Sequence, residues 1–192
     1  MYPEVIIFGC SPFINQLDIQ PLLERYYTIG INNFARYYPV DVVFSFDDRI
    51  PGHKARHAFV PNYLAKDGDI PYVGKSMDVP LLDWQTENGV ICLGFKYFTV
   101  SLAVNWALLK GYKRIYLIGV DHVETDTSFT DFDGAFHPAE LTQDAHRGLK
   151  EFIYRAAERC EIYQCNPAVR DSWKLPFKDV SDLYVKEEKT SG

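Results

Sequence analysis

Arg114-Ile115-Tyr116-Leu117-Ile118-Gly119, with Val120-Asp121-His122 behind it, decides how this chain is read. Four apolar or aromatic residues in succession leave no polar face. That is the pattern of a strand buried on both sides within a parallel sheet. A glycine closes the run, and an acid and an imidazole leave its carboxyl end. The same pattern recurs outward from it. Val5-Ile6-Ile7-Phe8 is closed by Gly9 and leads into the turn Cys10-Ser11-Pro12. Tyr27 to Ile31 ends at Asn32-Asn33, and Asp41 to Phe46 ends at Asp47-Asp48. Val90 to Leu93, and Glu161 to Cys165 with Asn166-Pro167 after it, read as further strands.

The segments between them read as helices. Pro21 marks the start of one, after a short turn from Phe13. Thr99 suits the N-cap of another, running from about Val100 to Lys110 and stopped by Gly111. Its apolar residues lie nearly all round, so it should be central and buried. Asp144 to Arg159 is amphipathic, with Ala145, Leu149, Phe152, Ile153, Ala156 and Ala157 on one face. His53 to Ala65 is read as a short helix and strand, with His53 and His57 four apart on the helix beside Lys54 and Arg56. From Glu124 to Pro138 no period is visible, which marks a functional loop or lid. The fold expected is α/β: a Rossmann-like, mostly parallel sheet with helices on both faces and a short lid. Residues 1–186 form a single nucleotide-binding domain with the lid at about 122–142, and 187–192 a flexible tail.

Composition narrows the function. The 192 residues carry a net charge of -6, are 47% hydrophobic and 15% aromatic, and contain no basic run. Nucleic acid is therefore not the expected partner, since phosphate neutralisation needs clustered Lys and Arg. A single nucleotide is compatible, because backbone amides at a helix start can hold it. The apolar stretch Val5 to Phe8 is too short for a signal peptide, and no run approaches the ~20 residues of a membrane span. A cytoplasmic location is expected. Cys10, Cys92, Cys160 and Cys165 lack metal-knuckle spacing and read as reduced structural thiols.

In open parallel sheets a ligand lies beyond the carboxyl ends of the strands. Gly9-Cys10-Ser11-Pro12, Asn32-Asn33, Asp47-Asp48 and Asp121-His122 should therefore meet at one rim, with Thr99 and Ser101 at the central helix start. Gly9 permits a tight turn, and Ser11 can donate its hydroxyl or cap the turn after it. The asparagines read either as donors and acceptors to a base or sugar edge, or as a plain turn. Asp47-Asp48 reads as a pair for ribose hydroxyls or Mg²⁺, or as a solvated turn, and Asp121 serves either task or caps. His122 at the rim and His137 in the lid are both candidate general bases. His146 reads as a helix-surface residue. No GxSxG elbow supports a serine hydrolase.

The motif Val5-Ile6-Ile7-Phe8-Gly9-Cys10-Ser11-Pro12-Phe13 resembles the strand and G-x-G-P-S-L turn of two related groups. These are the bacterial lipooligosaccharide sialyltransferases and the hydroxymethylpterin pyrophosphokinase-like proteins. Pro39 to Asp48 is similar to a segment of the second group. Gly111 to Asp121 is similar to a strand shared by both, and Cys165-Asn166-Pro167 to the ending of the last strand. The resemblance implies a nucleotide rim at Gly9, Cys10, Ser11, Asn32 and the Thr99 helix start. Asn32 would meet the cytidine nucleotide, and His137 matches by position the lid histidine that acts as base. The chain departs from the family at Ser11 and Phe13. Val123 and Phe129 stand roughly where the lid tyrosines would be, and Lys96 stands for an arginine.

Three readings result. The first is a transferase using a nucleotide-activated donor, most readily a sialyltransferase-like glycosyltransferase. Its partners would be a nucleotide sugar and a small-molecule or glycan acceptor, and it would need no cofactor. The second is a Mg²⁺-dependent pterin-type diphosphotransferase with Asp47, Asp48 and Asp121 at the metal. The third is a nucleotide-binding module without catalysis. Self-association into a homo-oligomer is left open.

Overall fold

The computed structural model describes residues 3–45, 54–59, 99–121, 128–130, 132–134, 136–138 and 143–185. Six strands form one all-parallel sheet: β1 (Glu4–Phe8), β2 (Tyr27–Ile31), β3 (Val42–Phe44), β4 (His57–Phe59), β5 (Arg114–Ile118) and β8 (Glu161–Gln164). They lie in the order β4-β3-β2-β1-β5-β8. A separate antiparallel hairpin joins β6 (Ser128–Thr130) to β7 (Phe136–Pro138). The helices are α1 (Gln20–Arg25), α2 (Phe34–Tyr37), α3 (Thr99–Leu109), α4 (Gln143–Ala157) and α5 (Val180–Tyr184), with 3₁₀ turns at Pro12–Gln16 and Pro167–Ser172.

Strand periodicity splits the core into two layers. Val5, Ile7, Ile29, Val42, Ile115 and Leu117 turn to one face, where α3 and α4 cover them. Ile6, Phe8, Val43, Tyr116 and Ile118 turn to the other, beneath the first 3₁₀ turn, α1, α2 and α5. Both faces of the central strands are thus dry, which is why they read as unbroken apolar runs. After β4 the chain returns to the other side of β1, so β1 and β5 flank the point where strand order reverses. Ligands of such sheets bind at that switch point.

The helix ends follow local chemistry. α3 stops in a Schellman motif: Gly111 adopts φ +81, its N–H donates to Leu108 O, and Tyr112 N–H donates to Ala107 O. Three expectations need correction. Thr99 is the first residue of α3 and not its cap. His57 opens the edge strand β4 and is not on a helix, because a three-residue edge strand is too short to show alternation. The segment read as having no period contains the β6–β7 hairpin. His53, residues 60–98 (with the strand expected at Val90 to Leu93) and the tail from 186 lie outside the described residues. Among the described residues no helix is long and apolar enough to cross a membrane.

Candidate functional site

The ends of β1 and β5 are pressed together by two glycines. A Cβ on Gly9 would lie 2.1 Å from Gly119 O and 2.7 Å from its carbonyl carbon. Gly119 itself has φ +70, a conformation a side chain would strain. Gly9 N–H donates to Ile118 O at 2.8 Å, and Ser11 N–H to Gly119 O at 3.2 Å. The β1 turn therefore continues the sheet ladder for one step beyond the strands.

Ser11 is engaged on both sides. Its oxygen accepts from Phe13 N–H at 3.1 Å, capping the 3₁₀ turn in which Pro12 holds the first position. Its hydroxyl donates to Asp121 Oδ2. The same carboxylate oxygen accepts from Asn166 Nδ2 at 2.5 Å. Asn166 in turn caps the second 3₁₀ turn by accepting from Ala168 N–H. Behind it Gln164 is fully buried. Its amide donates to Val120 O at 2.9 Å and accepts from the Cys165 and Asn166 N–H groups. A continuous polar network thus ties β8, β5 and β1 at their carboxyl ends. Buried amides in such a network are satisfied only in one arrangement, so the network preorganises the rim.

The end of β2 is built differently. Asn32 has φ +48, the one non-glycine residue with positive φ among those described. Its N–H donates to Phe44 O at 2.9 Å. Its Oδ1 accepts from Thr99 Oγ1 at 3.5 Å, bringing the start of α3 to the rim. Asn33 occupies the N-cap position of α2 without a side-chain cap bond. Cys10 bridges the two strand ends, its thiol donating to Ile31 O at 3.1 Å. Thr99 is 6% exposed and Ser101 fully buried.

The hairpin reaches back to this rim. Phe132 N–H donates to Cys10 O at 2.8 Å, and Asn15 Nδ2 donates to Phe132 O at 2.7 Å. The Phe132 ring lies 5.2 Å from Tyr37 and 6.0 Å from Phe34, between centroids. Tyr37 OH donates to Asp133 Oδ2 at 3.1 Å.

Gly9, Cys10, Ser11, Asn32, Asn33, Thr99 and Asp121 are therefore gathered at the ends of β1, β2 and β5. Asp47, Asp48, Lys96, His122 and Val123 lie outside the described residues. His137 stands on β7, in register with Phe129. Sequence reasoning alone does not place Asn15, Phe132 or Asn166 at the site. The sequence did carry a cue for two of them, in the Asn166-Pro167 strand ending and the Asp133-Gly134 turn pair beside Phe132. Among the described residues no group of three His, Cys, Asp or Glu side chains is placed to hold a metal ion. Asp121 Oδ2 serves as a hydrogen-bond acceptor for two neutral donors. Cys160 and Cys165 are poor nucleophiles, since burial raises the first to about 11 and the second further. A depression of about 740 Å³ at the opposite end of the sheet is lined in part by Lys113, Arg114 and Cys160. There Arg114 is already paired with Glu4 and Glu161, each at 2.7 Å.

No protein-family model matches the chain, and no curated protein matches it in sequence. Its fold is shared with solved sialyltransferases. The sialyltransferase CstII from Campylobacter jejuni, in complex with the substrate analogue CMP-3FNeuAc, aligns with a TM-score of 0.53 at 14% identity, over 91% of this chain and 86% of that one. A variant of CST-II in complex with CMP aligns with a TM-score of 0.60 at 14% identity, over 90% and 86%. CST-II in complex with a trisaccharide acceptor and CMP aligns with a TM-score of 0.52 at 15% identity, over 90% and 85%. The α/β fold expected from the strand pattern is thus the fold of these sialyltransferases.

Proposed function

We propose that this chain is a transferase that binds a nucleotide-activated sugar at the switch point and passes the sugar to an acceptor hydroxyl. One observation carries the reading. The ends of β1, β2 and β5 converge with the start of α3 on a single preorganised rim, in a fold whose solved neighbours bind CMP. Asn32 is the residue suited to read the nucleotide. Its Oδ1 is turned to Thr99, and its Nδ2 has no partner among the described residues.

The hydrogen bonds of the β1 turn support a scaffold role for it. The N–H groups of Gly9, Ser11, Phe13 and Ile14 are all committed within the protein, as is the Ser11 hydroxyl. Gly9, Cys10, Ser11 and Pro12 then shape the floor of the site. Contacts to the phosphate are assigned to the α3 start, with Lys96 as the candidate cation. The acceptor oxygen would attack the anomeric carbon while the bond from that carbon to the phosphate oxygen breaks. The nucleoside monophosphate leaves, and the acceptor proton passes to a base. His137 is assigned that base, with His122 as the alternative. A positioned base contributes about 10²–10⁴-fold in rate.

The test is a thermal-shift screen of nucleotides with and without Mg²⁺, followed by transfer assays with the donors that respond. CMP-selective stabilisation independent of metal supports the reading. Selective stabilisation by ATP or AMP with Mg²⁺ would replace it with a diphosphotransferase using Asp47, Asp48 and Asp121. No response to any nucleotide would reject the nucleotide site.

A further inference from the structure

We propose that Phe132 is a positioning residue: planted between α2 and the β1 turn, it fixes the β6–β7 hairpin across the rim and so sets where His137 stands. The catalytic half of this inference rests on the transferase reading above; the anchoring half does not. Phe132 is bound through three kinds of contact at once. Its N–H donates to Cys10 O at 2.8 Å, and its carbonyl accepts from Asn15 Nδ2 at 2.7 Å. Its half-buried ring meets Phe34, Tyr37 and Tyr38 with centroids 6.0, 5.2 and 6.2 Å away. The next residue adds Asp133, which accepts from Tyr37 OH.

A two-stranded hairpin of three-residue strands has too few ladder bonds to hold its own place. Its position must come from contacts outside it, and among the described residues those at 132–133 supply them. They also reach the floor of the site. The Cys10–Ser11 peptide is clamped between Phe132 N–H on one side and Gly119 O on the other. Phe132 lies in the turn between β6 and β7, five residues before His137. An aromatic ring in a pocket restrains that span more tightly than the hydrogen bonds alone.

The experiment compares Phe132→Ala, Phe132→Tyr and Asn15→Ala in the full chain by hydrogen exchange, CMP titration and steady-state transfer. Phe132→Ala should raise exchange at 128–138 by about tenfold or more while β1, β2 and β5 keep their protection. The Asn15→Ala change, made on an exposed side chain, should do the same by about threefold, the scale of one lost hydrogen bond. It decides the matter if Phe132→Ala does not fold. With CMP as probe, affinity should stay within about threefold, while kcat drops by about tenfold or more at little-changed donor KM. Phe132→Tyr should restore both exchange and kcat. Unchanged exchange at 128–138, or a rise spread evenly over the whole sheet, would overturn the anchor. Hairpin exchange that rises without loss of kcat would overturn its positioning role. If CMP does not bind and no transfer occurs, the function fails, and the exchange data still decide the anchor.

Discussion

The ends of β1 and β2 are neighbours at the same rim and are built on opposite plans. At β1 almost every polar group is spent inside the protein. Gly9, Ser11, Phe13 and Ile14 donate their N–H groups internally, and the Ser11 hydroxyl is held by Asp121. At β2, Asn32 sits in a left-handed conformation, and among the described residues its side chain makes one long hydrogen bond, to Thr99. Under the function proposed above, the first strand end serves as scaffold and the second is the one with a side-chain donor left to offer a ligand. Proximity to a strand end therefore does not by itself make a contact residue. The count of committed donors separates the two.

The sharpest way to break this comparison is Gly9→Ala. The added methyl would collide with backbone at Gly119, which cannot swing away as a side-chain tip can. The expected cost is about 3 kcal/mol or more of stability, at the upper end for overpacking. A urea melt that shows a loss below about 1 kcal/mol would mean that β1 and β5 separate easily and that the floor is not rigid. Next in size is Asp121→Ala, which strands the Ser11 hydroxyl and the Asn166 amide together. About 2 kcal/mol should be lost, and Asp121→Asn should recover roughly half by restoring one acceptor oxygen. Equal losses in both variants would show that the charge, and not the shared acceptor, holds the network.

The same contrast explains how far the sequence could be read. β1, β2 and β5 were legible because a strand buried on both faces must be apolar throughout, and each ends at a glycine or asparagine that punctuates it. Asp121 and Asn32 could be placed at the rim for the same reason. The cap that Ser11 makes was legible, but the partner of its hydroxyl was not, because Asp121 lies 110 residues away and the further partner Asn166 another 45 beyond. Capping and ligand binding use the same hydroxyl, and only the fold shows that the hydroxyl is already taken. The β6–β7 hairpin escaped because three-residue strands carry no measurable alternation. The Asp133-Gly134 pair was the one local sign of its turn.

At β2 a pair of variants separates backbone from side chain. Asn32→Gly keeps the left-handed conformation easy and removes the carboxamide. Its stability should stay within about 0.5 kcal/mol, since relief of the φ +48 geometry offsets the extra freedom of the unfolded chain. Asn32→Ala should cost about 1 kcal/mol, because alanine resists that conformation. Both should weaken CMP binding about tenfold by titration calorimetry, the weight of one well-placed hydrogen bond. Unaltered CMP affinity in Asn32→Gly would return Asn32 to the scaffold and erase the difference between the two strand ends.

The smallest expected effect belongs to Thr99→Ala. As an N-cap, Thr99 would have satisfied an orphan N–H of α3, and its loss would cost about 1 kcal/mol. The structure puts Thr99 inside the helix, with its hydroxyl donating to Asn32 at 3.5 Å, the long limit of a hydrogen bond. The change therefore removes one weak contact, and alanine is the better helix former, so stability should change by no more than about 0.5 kcal/mol. The sharper consequence is for Asn32. With Oδ1 released the carboxamide can rotate, and CMP affinity should fall by about two- to threefold, well short of the loss in Asn32→Gly. The two effects should not add: Thr99→Ala in the Asn32→Gly background should leave CMP affinity where Asn32→Gly alone put it, because Thr99 acts through the side chain already removed. A further drop in the double variant would make Thr99 a direct contact and extend the ligand surface from β2 onto the first turn of α3.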